Sequence, residues 1–122
     1  MLTPPGVGTT IEPDLEAAAC LFHGFSDSSR LSILQHLALG EHRVVELTAH
    51  LGLAQSTVSK HLACLKDCGL VESRPVGRAS VFSLTHPEAL QRLFAAAEEL
   101  LGLTGEAVLL CPTYGVNAPK DA

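Results

Sequence analysis

Residues 55 to 67 carry apolar side chains at helical spacing. Val58, Leu62 and Leu65 recur at positions i, i+4 and i+7, so on a helix they form one apolar stripe that faces a core. Except for one acidic residue, the opposite side is small, hydroxylated or basic: Ser56, Ser59, Lys60, Ala63 and Asp67. Such side chains can enter a DNA major groove and bond phosphates or base edges. We expect a recognition helix, with Gln55 near its start as the best candidate for reading a base.

A shorter helix is predicted just before this one, over VVELTAHL from Val44 to Leu51. Gly52 would end it, because glycine adopts the positive φ that often follows a helix. Two helices joined by a tight turn predict a helix-turn-helix. The same pattern also fits two ordinary core helices, and polar spacing alone does not separate these interpretations.

The following segment, VESRPVGRASVFSL, predicts a β-hairpin. Phe82 and Leu84 alternate toward the inside, and the stretch from Pro75 to Arg78 supplies Pro and Gly for a turn. Arg74 and Arg78 would flank that turn, where a hairpin beside a recognition helix can reach phosphates or the minor groove. The alternative is a solvated hairpin whose charges only keep the protein soluble.

The distribution of charge favours the DNA interpretation. The net charge of the whole chain is −5, which argues against a generally basic nucleic-acid binder. From Leu53 to Ser83, however, four basic residues stand against two acidic ones, so this window is +2 and the remainder is −7. A local positive patch on an acidic body fits site-directed DNA binding, because the acidic remainder limits non-specific adhesion.

Three further helices are predicted around this unit. The first covers Asp14 to Phe22, and the second covers Arg30 to Leu39 with Asp27 or Ser28 as its cap. The last runs from Pro87 to about Leu101. Together with the first helix it is expected to form a dimer interface, through an apolar face of Leu90, Leu93, Phe94, Ala97 and Leu101. The predicted fold is mainly α with a small β-hairpin: a dimeric winged helix-turn-helix of three helices, recognition helix, two strands and final helix.

Length and composition allow one modest core, since the 122 residues are 47% hydrophobic and 4% aromatic. We expect a disordered tail at 1–12, a winged-helix DNA-binding and dimerisation domain at 13–102, and a C-terminal tail at 103–122 that carries a candidate metal ligand. The N-terminus lacks a basic flank with a continuous apolar run, and no apolar stretch reaches membrane-spanning length. A cytoplasmic protein without a membrane partner is expected.

The four cysteines are candidates for metal binding, because stable disulfides are uncommon in a reducing compartment. Cys64 and Cys68 are one helical turn apart, so their thiolates can chelate one ion. A third ligand is needed, and Cys111 lies in a tail that can fold onto the recognition helix of either subunit. Three thiolates suit a soft ion such as Cd(II), Pb(II) or As(III). Cys20 is expected to be a small buried hydrophobe instead.

The ordered series of motifs resembles the ArsR/SmtB family of winged-helix metal-sensing repressors. From about Asp14 to Leu101 the resemblance is carried by SDSSRLSILQHL, ELTAHL, QSTVSKHLACLKDCGLV and the hairpin with its Gly-Arg pair. It implies a cytoplasmic homodimer that represses by binding double-stranded operator DNA and is released when a metal or metalloid inducer binds. HLACLKDCGLV with a further tail cysteine resembles the CmtR-type branch of cadmium and lead sensors. That resemblance implies Cd(II) or Pb(II) as inducer and Cys64, Cys68 and Cys111 as ligands.

Other branches of this family match less well. Arsenic and cadmium sensors with an ELCVC motif have cysteines where this chain reads ELTAH, so that site is absent. Zinc-type sensors place Asp and His ligands along the final helix, where this chain offers only His86 near the beginning and Glu98 and Glu99 near the end. We expect no zinc sensing on that helix, and As(III) and Zn(II) are kept as alternative inducers.

The candidate DNA contacts come from the recognition helix and the hairpin: Gln55, Ser56, Thr57, Ser59, Lys60, His61, Arg74 and Arg78. His61 lies one turn before Cys64 and can contact DNA or assist a metal. The histidines at 23, 36, 42 and 50 show no ligand spacing, so we expect them to be structural or solvated.

Three rival functions stay open. A redox-sensing repressor of the same fold would use Cys64, Cys68 or Cys111 as a reactive thiol. A thiol enzyme fits poorly, because the pair is spaced Cys-x-x-x-Cys rather than Cys-x-x-Cys and no Cys-His-acid arrangement stands out, so no enzymatic activity is expected. A metal-buffering protein would leave the helix-turn-helix and the hairpin unexplained.

Overall fold

The computed structural model describes residues 15–106 and residue 110. Over that part of the chain the elements are α1 (Leu15–Gly24), α2 (Ser28–Ala38), β1 (His42–Arg43), α3 (Val44–Leu51), α4 (Gln55–Asp67), β2 (Val71–Val76), β3 (Ala79–Leu84) and α5 (Pro87–Leu103). The predicted order of helices and hairpin is confirmed. The structure also contains the two-residue strand β1, which was not predicted. The expected tail at 1–12 and Cys111 lie outside the described residues, and the domain bounds stay predictions.

The ends of the helices follow local chemistry. Asp27 is the N-cap of α2, and its carboxylate accepts hydrogen bonds from the backbone N–H groups of Ser29 and Arg30, at 2.9 and 3.1 Å. This cap starts the helix two residues earlier than expected. Gly52 ends α3 with φ 67°, as predicted. Pro87 opens α5, which continues two residues beyond its expected end.

The three strands form an antiparallel sheet in the order β1-β3-β2. Residues pair along the hairpin from Val71 with Leu84 to Val76 with Ala79, and the short β1 pairs with the other edge of β3. Leu84 is part of the core and Phe82 packs against it, as predicted, although burial along β3 does not strictly alternate because Val81 is buried as well. Because β1 leads directly into α3, its pairing ties the start of the helix-turn-helix to the hairpin.

The core lies between α2, α3, α4, the hairpin and α5. The predicted stripe of α4 is confirmed, since Val58 and Leu65 are fully buried and Leu62 is 1% exposed. Each such side chain contributes about 1.5–3 kcal/mol relative to an exposed one. Burial of this stripe sets the rotation of α4 about its axis, and its opposite face is therefore directed outward.

The apolar face predicted for α5 is divided between two environments. Leu90 and Phe94 are buried in the core, whereas Leu93 is 36% exposed. Leu93 belongs to a set of exposed large apolar residues on α1 and α5: Leu15, Phe22, Leu93, Leu100 and Leu103. Between residues 15 and 106 no helix is both long enough and apolar enough to span a membrane.

Candidate DNA interface and thiol cluster

The outward face of α4 presents most of the predicted DNA contacts. Gln55, Ser56, Ser59 and Lys60 are exposed, and Thr57 is partly buried. Gln55 is the first residue of the helix, where its side chain is free of the core packing that holds the later turns. The face therefore combines an amide, hydroxyls and one cation, the groups that bond base edges and phosphates.

His61 has a different environment from its neighbours on α4. Its Nε2 lies 3.6 Å from Oδ2 of Asp27, so the two form an ion pair when the imidazole is protonated. The backbone hydrogen bond from Arg30 is the main cause that lowers the pKa of Asp27, and the charge of His61 adds to it. His61 thus interacts with the start of α2.

The two hairpin arginines are placed differently. Arg78 is exposed beside the turn at Gly77, where φ is 63°. Arg74 donates a hydrogen bond to Oε1 of Glu41 at 2.5 Å, and both side chains are largely exposed. An exposed ion pair of this kind contributes little to stability. A phosphate group can therefore compete with Glu41 for this arginine.

A cleft of about 300 Å³ lies between the hairpin and the beginnings of α3 and α4. Gln55 and Arg78 line it together, although 23 positions separate them in sequence. Arg43 also lines the cleft and is exposed, and it was not among the predicted contacts. The pairing of β1 with β3 brings Arg43 there, opposite Val81. No local motif in the sequence marks that pairing.

Three free thiols meet where α1 passes the end of α4. Cys68 is the C-cap of α4, and its Sγ lies 2.6 Å from Sγ of Cys20 and donates to the Cys20 carbonyl oxygen at 3.0 Å. Cys64, one turn earlier, also interacts with the thiol of Cys68. The structure thus brings the predicted pair together and adds a third sulfur from α1.

The expectation that Cys20 is a buried hydrophobe is wrong, because this residue is exposed on α1. Gly24 explains how α1 comes so close to the end of α4. A Cβ atom at this glycine would lie 3.0 Å from Cδ1 of Leu70 and 3.5 Å from Cδ2 of Leu65. Cys20 and Cys68 are 48 positions apart, so their contact depends entirely on this tertiary packing.

Burial, together with hydrogen bonding and charge repulsion from Cys20 and Cys64, raises the pKa of the Cys68 thiol to about 12. Cys68 is therefore protonated at neutral pH. Within residues 15–106 and at 110, no three His, Cys, Asp or Glu side chains already have the geometry of a metal site. An ion that binds Cys68 must therefore displace its proton and draw the neighbouring sulfur atoms around it.

Cys111 lies outside the described residues, but the residue before it is described. The backbone N–H of Leu110 donates to Oε2 of the buried Glu98 at 2.8 Å, and its carbonyl oxygen accepts from Nε2 of Gln35 at 3.1 Å. Leu110 is thus attached to α5 and α2.

Comparison with known proteins gives a consistent result. Residues 27–73 match the family described as "Bacterial regulatory protein, arsR family". A probable mercury resistance operon repressor from Streptomyces lividans is 34% identical over 98 residues, which cover 80% of this chain and 77% of that protein. The transcriptional regulator CmtR of Mycobacterium tuberculosis is 35% identical over 94 residues, covering 77% and 80%.

Among solved structures, the homodimeric winged helix-turn-helix DNA-binding domain of a possible ArsR-family regulator from Mycobacterium bovis is 29% identical, with a TM-score of 0.69. That match covers 82% of this chain and 94% of the solved one. The predicted winged helix-turn-helix fold is therefore confirmed. With relatives of this similarity over most of both chains, the protein belongs to the arsR family of bacterial regulatory proteins.

Proposed function

We propose that this protein is a metal-responsive transcriptional repressor. In this proposal a homodimer binds operator DNA in the cytoplasm, and a soft ion, Cd(II) or Pb(II), releases it by binding cysteine thiolates. The observation that carries the proposal is the meeting of Cys20, Cys64 and Cys68 at the end of the recognition helix in an arsR-family fold. Sulfur at that position can act directly on the helix that reads DNA.

The DNA-binding part of the proposal is supported by the exposed surface of α4 and the hairpin. Gln55 and Lys60 lie on the helix, Arg78 lies on the hairpin, and Arg43 joins them at the intervening cleft. In a symmetric dimer two such surfaces would lie about one turn of DNA apart and read two related half-sites. Arg74 would add a phosphate contact after leaving Glu41.

The dimer is supported by the apolar residues that α1 and α5 leave exposed. Phe22 is 61% exposed, Leu100 63% and Leu103 79%. Several large apolar side chains left exposed on two helices are typical of a face that another protein covers. A second copy of the chain is the occupant that we propose, because the Mycobacterium bovis relative with the same fold is homodimeric.

For the metal, we propose Cys64, Cys68 and Cys111 as ligands, with Cys20 as an adjacent thiol. Thiolates favour soft ions, whereas Mg(II) and Ca(II) require oxygen ligands. The Streptomyces lividans relative is described as a mercury resistance repressor, which supports a thiophilic inducer. The raised pKa of Cys68 makes binding a competition with protons, and tightly bound soft ions win it most readily.

Release of the operator DNA would follow from the position of the thiols at the end of the recognition helix. An ion held at the end of α4 would lie next to α1, a helix of the proposed dimer face, so its binding can change how α4 packs against that helix. If the occupied site favours a spacing of the two α4 helices that does not fit both half-sites, metal weakens DNA binding. DNA then weakens metal binding by the same factor, commonly equivalent to about 1–3 kcal/mol.

The test is a titration of the purified, reduced protein with Cd(II), Pb(II), Zn(II) and arsenite. Sulfur-to-metal absorption and release from operator DNA are measured in the same titration. Comparison of the four ions distinguishes an arsenite sensor from a cadmium or lead sensor. We expect Cys64→Ser and Cys68→Ser to bind the operator but to lose metal-induced release. Ala49→Ser adds a hydroxyl at an exposed position on α3, away from the thiols, and should behave as the parent does. Normal release in both cysteine variants would overturn the proposal.

A second function is favoured by the short distance between the Cys20 and Cys68 sulfur atoms. Hydrogen peroxide can oxidise one thiol to a sulfenic acid, releasing water, and the other thiol then displaces hydroxide, which leaves as a second water, to form a disulfide. A repressor that responds to thiol oxidation would leave its operator after peroxide treatment without any metal. Loss of this response in Cys20→Ser would support it, whereas an unchanged operator affinity in peroxide-treated parent protein would exclude it.

A further inference from the structure

Three histidine rings meet at the junction of α2, β1 and α3. The ring centroids are 5.1 Å apart for His36 and His50, 5.6 Å for His42 and His50, and 6.2 Å for His36 and His42. Their irregular sequence spacing predicted only structural or solvated residues. The fold brings them together because α2 packs against α3 and the pairing of β1 with β3 holds His42 beside both helices.

Two of these rings are already oriented by the backbone. Nδ1 of His36 lies 2.8 Å from the carbonyl oxygen of Ser32, and Nδ1 of His42 lies 2.7 Å from that of Gly40. A carbonyl oxygen only accepts hydrogen bonds, so each Nδ1 must carry the hydrogen. In the neutral ring, Nε2 then holds a free lone pair. Histidines that ligate metals are commonly oriented in this way, with the second ring nitrogen donating to a carbonyl group.

We propose that His36, His42 and His50 bind one divalent cation of borderline softness, such as Zn(II), Ni(II) or Cu(II). His36 and His42 would ligate it through Nε2, and His50 would supply the third nitrogen. Three imidazoles around a tetrahedral ion, with metal–nitrogen distances of about 2.0–2.1 Å, place their ring centroids about 5 Å apart. The observed separations of 5.1–6.2 Å are close to that value.

Binding requires one local adjustment. The rings of His36 and His50 are stacked at 28°, and the described residues contain no ready-made metal geometry. His50 is exposed in the last turn of α3, so its side chain can turn toward the other two without disturbing the core. The fourth position of the ion would be taken by water.

This site would be separate from the thiols in both ligands and position. The histidines lie on α2, β1 and α3, whereas the described thiols lie on α1 and α4. Imidazole favours zinc, nickel and copper, and thiolates favour the softer ions, so the two sites would select different metals. An ion here would join the first helix of the helix-turn-helix to α2, and it would do so without any contribution from cysteine.

The experiment uses the full chain without a polyhistidine tag, with Cys20, Cys64, Cys68 and Cys111 replaced by Ser. Titration with Co(II) should give one ion per protomer, with visible d–d bands and no sulfur charge-transfer band. Zn(II) should raise the thermal unfolding midpoint of this protein. Adding His50→Gln should weaken Co(II) binding by at least about tenfold and abolish the Zn(II) shift, because one ligand is lost. His86→Gln is the control, since His86 is an exposed histidine at the start of α5 and is not a member of the cluster.

Equal Co(II) affinity in the parent and in His50→Gln would overturn the proposal, as would the absence of binding in the parent. If the cysteine-free chain does not fold, Zn(II) stoichiometry is compared between the wild-type chain and His50→Gln under reducing conditions. The variant should then bind one ion fewer per protomer, and equal stoichiometry would overturn the proposal. None of these measurements uses DNA, and the thiols are either replaced or identical in the two proteins compared, so the outcome is independent of the proposed repressor function.

Discussion

The carboxylate of Asp27 caps α2 and also lies 3.6 Å from Nε2 of His61 on the recognition helix. One short side chain thus connects the start of the second helix with α4. The hydrogen bond from the Arg30 backbone, followed by weaker contributions that include His61, lowers the pKa of Asp27 below its usual 3.8. The carboxylate therefore stabilises the folded state above pH 3.8, and this contribution is lost as the pH falls through the lowered pKa.

Asp27→Ala should lower the urea midpoint at neutral pH, because Ser29 and Arg30 lose their hydrogen-bond acceptor. The difference from the parent should shrink in acid, where the parent carboxylate is protonated. Urea unfolding at a series of pH values measures both effects. As a control, Asp67→Ala removes an exposed carboxylate at the C-terminal end of α4 and should leave the urea midpoint nearly unchanged. A difference that persists in acid would contradict the role of the charge.

Glu41→Gln should increase operator affinity by up to about fivefold, since the Arg74 guanidinium no longer pairs with a carboxylate and is free for a phosphate. Fluorescence anisotropy with labelled operator measures the change. Glu72→Gln removes the same charge from the exposed side of the hairpin and is the matched control. An equal gain in both variants would show that only net charge matters.

Arg43→Ala should weaken operator binding and reduce the slope of log affinity against log salt concentration by about one, if Arg43 neutralises one phosphate. We expect Arg78→Ala to have a similar effect, because both residues line the same cleft. Arg92→Ala, at an exposed position on α5, should change neither quantity. A slope that does not change in Arg43→Ala would exclude a phosphate contact by this residue.

Cd(II) affinity should increase as the pH rises toward 9. The Cys68 thiol has a pKa of about 12, so it must release its proton when it binds metal, and a lower proton concentration favours that release. Calorimetry in two buffers with different ionisation enthalpies counts the released protons. Cys68→Ser should release about one proton fewer than the parent and bind more weakly. An identical proton count would show that Cys68 is not a ligand.

The helices and the hairpin were predictable because their signals are local. The apolar stripe of Val58, Leu62 and Leu65 lies within one helix. Gly52 adopts the positive φ that ends α3, and this depends on that residue alone. Neighbouring residues decide such features, so no knowledge of the packing is needed. The family resemblance rests on the same segments in the same order, and it is confirmed by the match over residues 27–73.

The set of residues that makes up each candidate site was less predictable, because each site combines residues that are distant in sequence. Cys20 meets Cys68 only where Gly24 allows α1 to approach α4. Arg43 lines the cleft between the hairpin and the starts of α3 and α4 only because a two-residue strand pairs with β3. A strand that short has no period of its own to detect.

The sequence by itself determined the order of the elements, the buried face of the recognition helix and the presence of two thiols one turn apart. These depend on periodicity and on single-residue conformational preferences, which act over a few positions. Only the tertiary structure decided which third sulfur lies beside that pair of thiols and which additional arginine lines the cleft between the hairpin and α4. It also decided that three histidines distant in sequence lie together. Those relationships depend on the packing of α1 against α4 and of α2 against α3, which is set by the shape of the whole core.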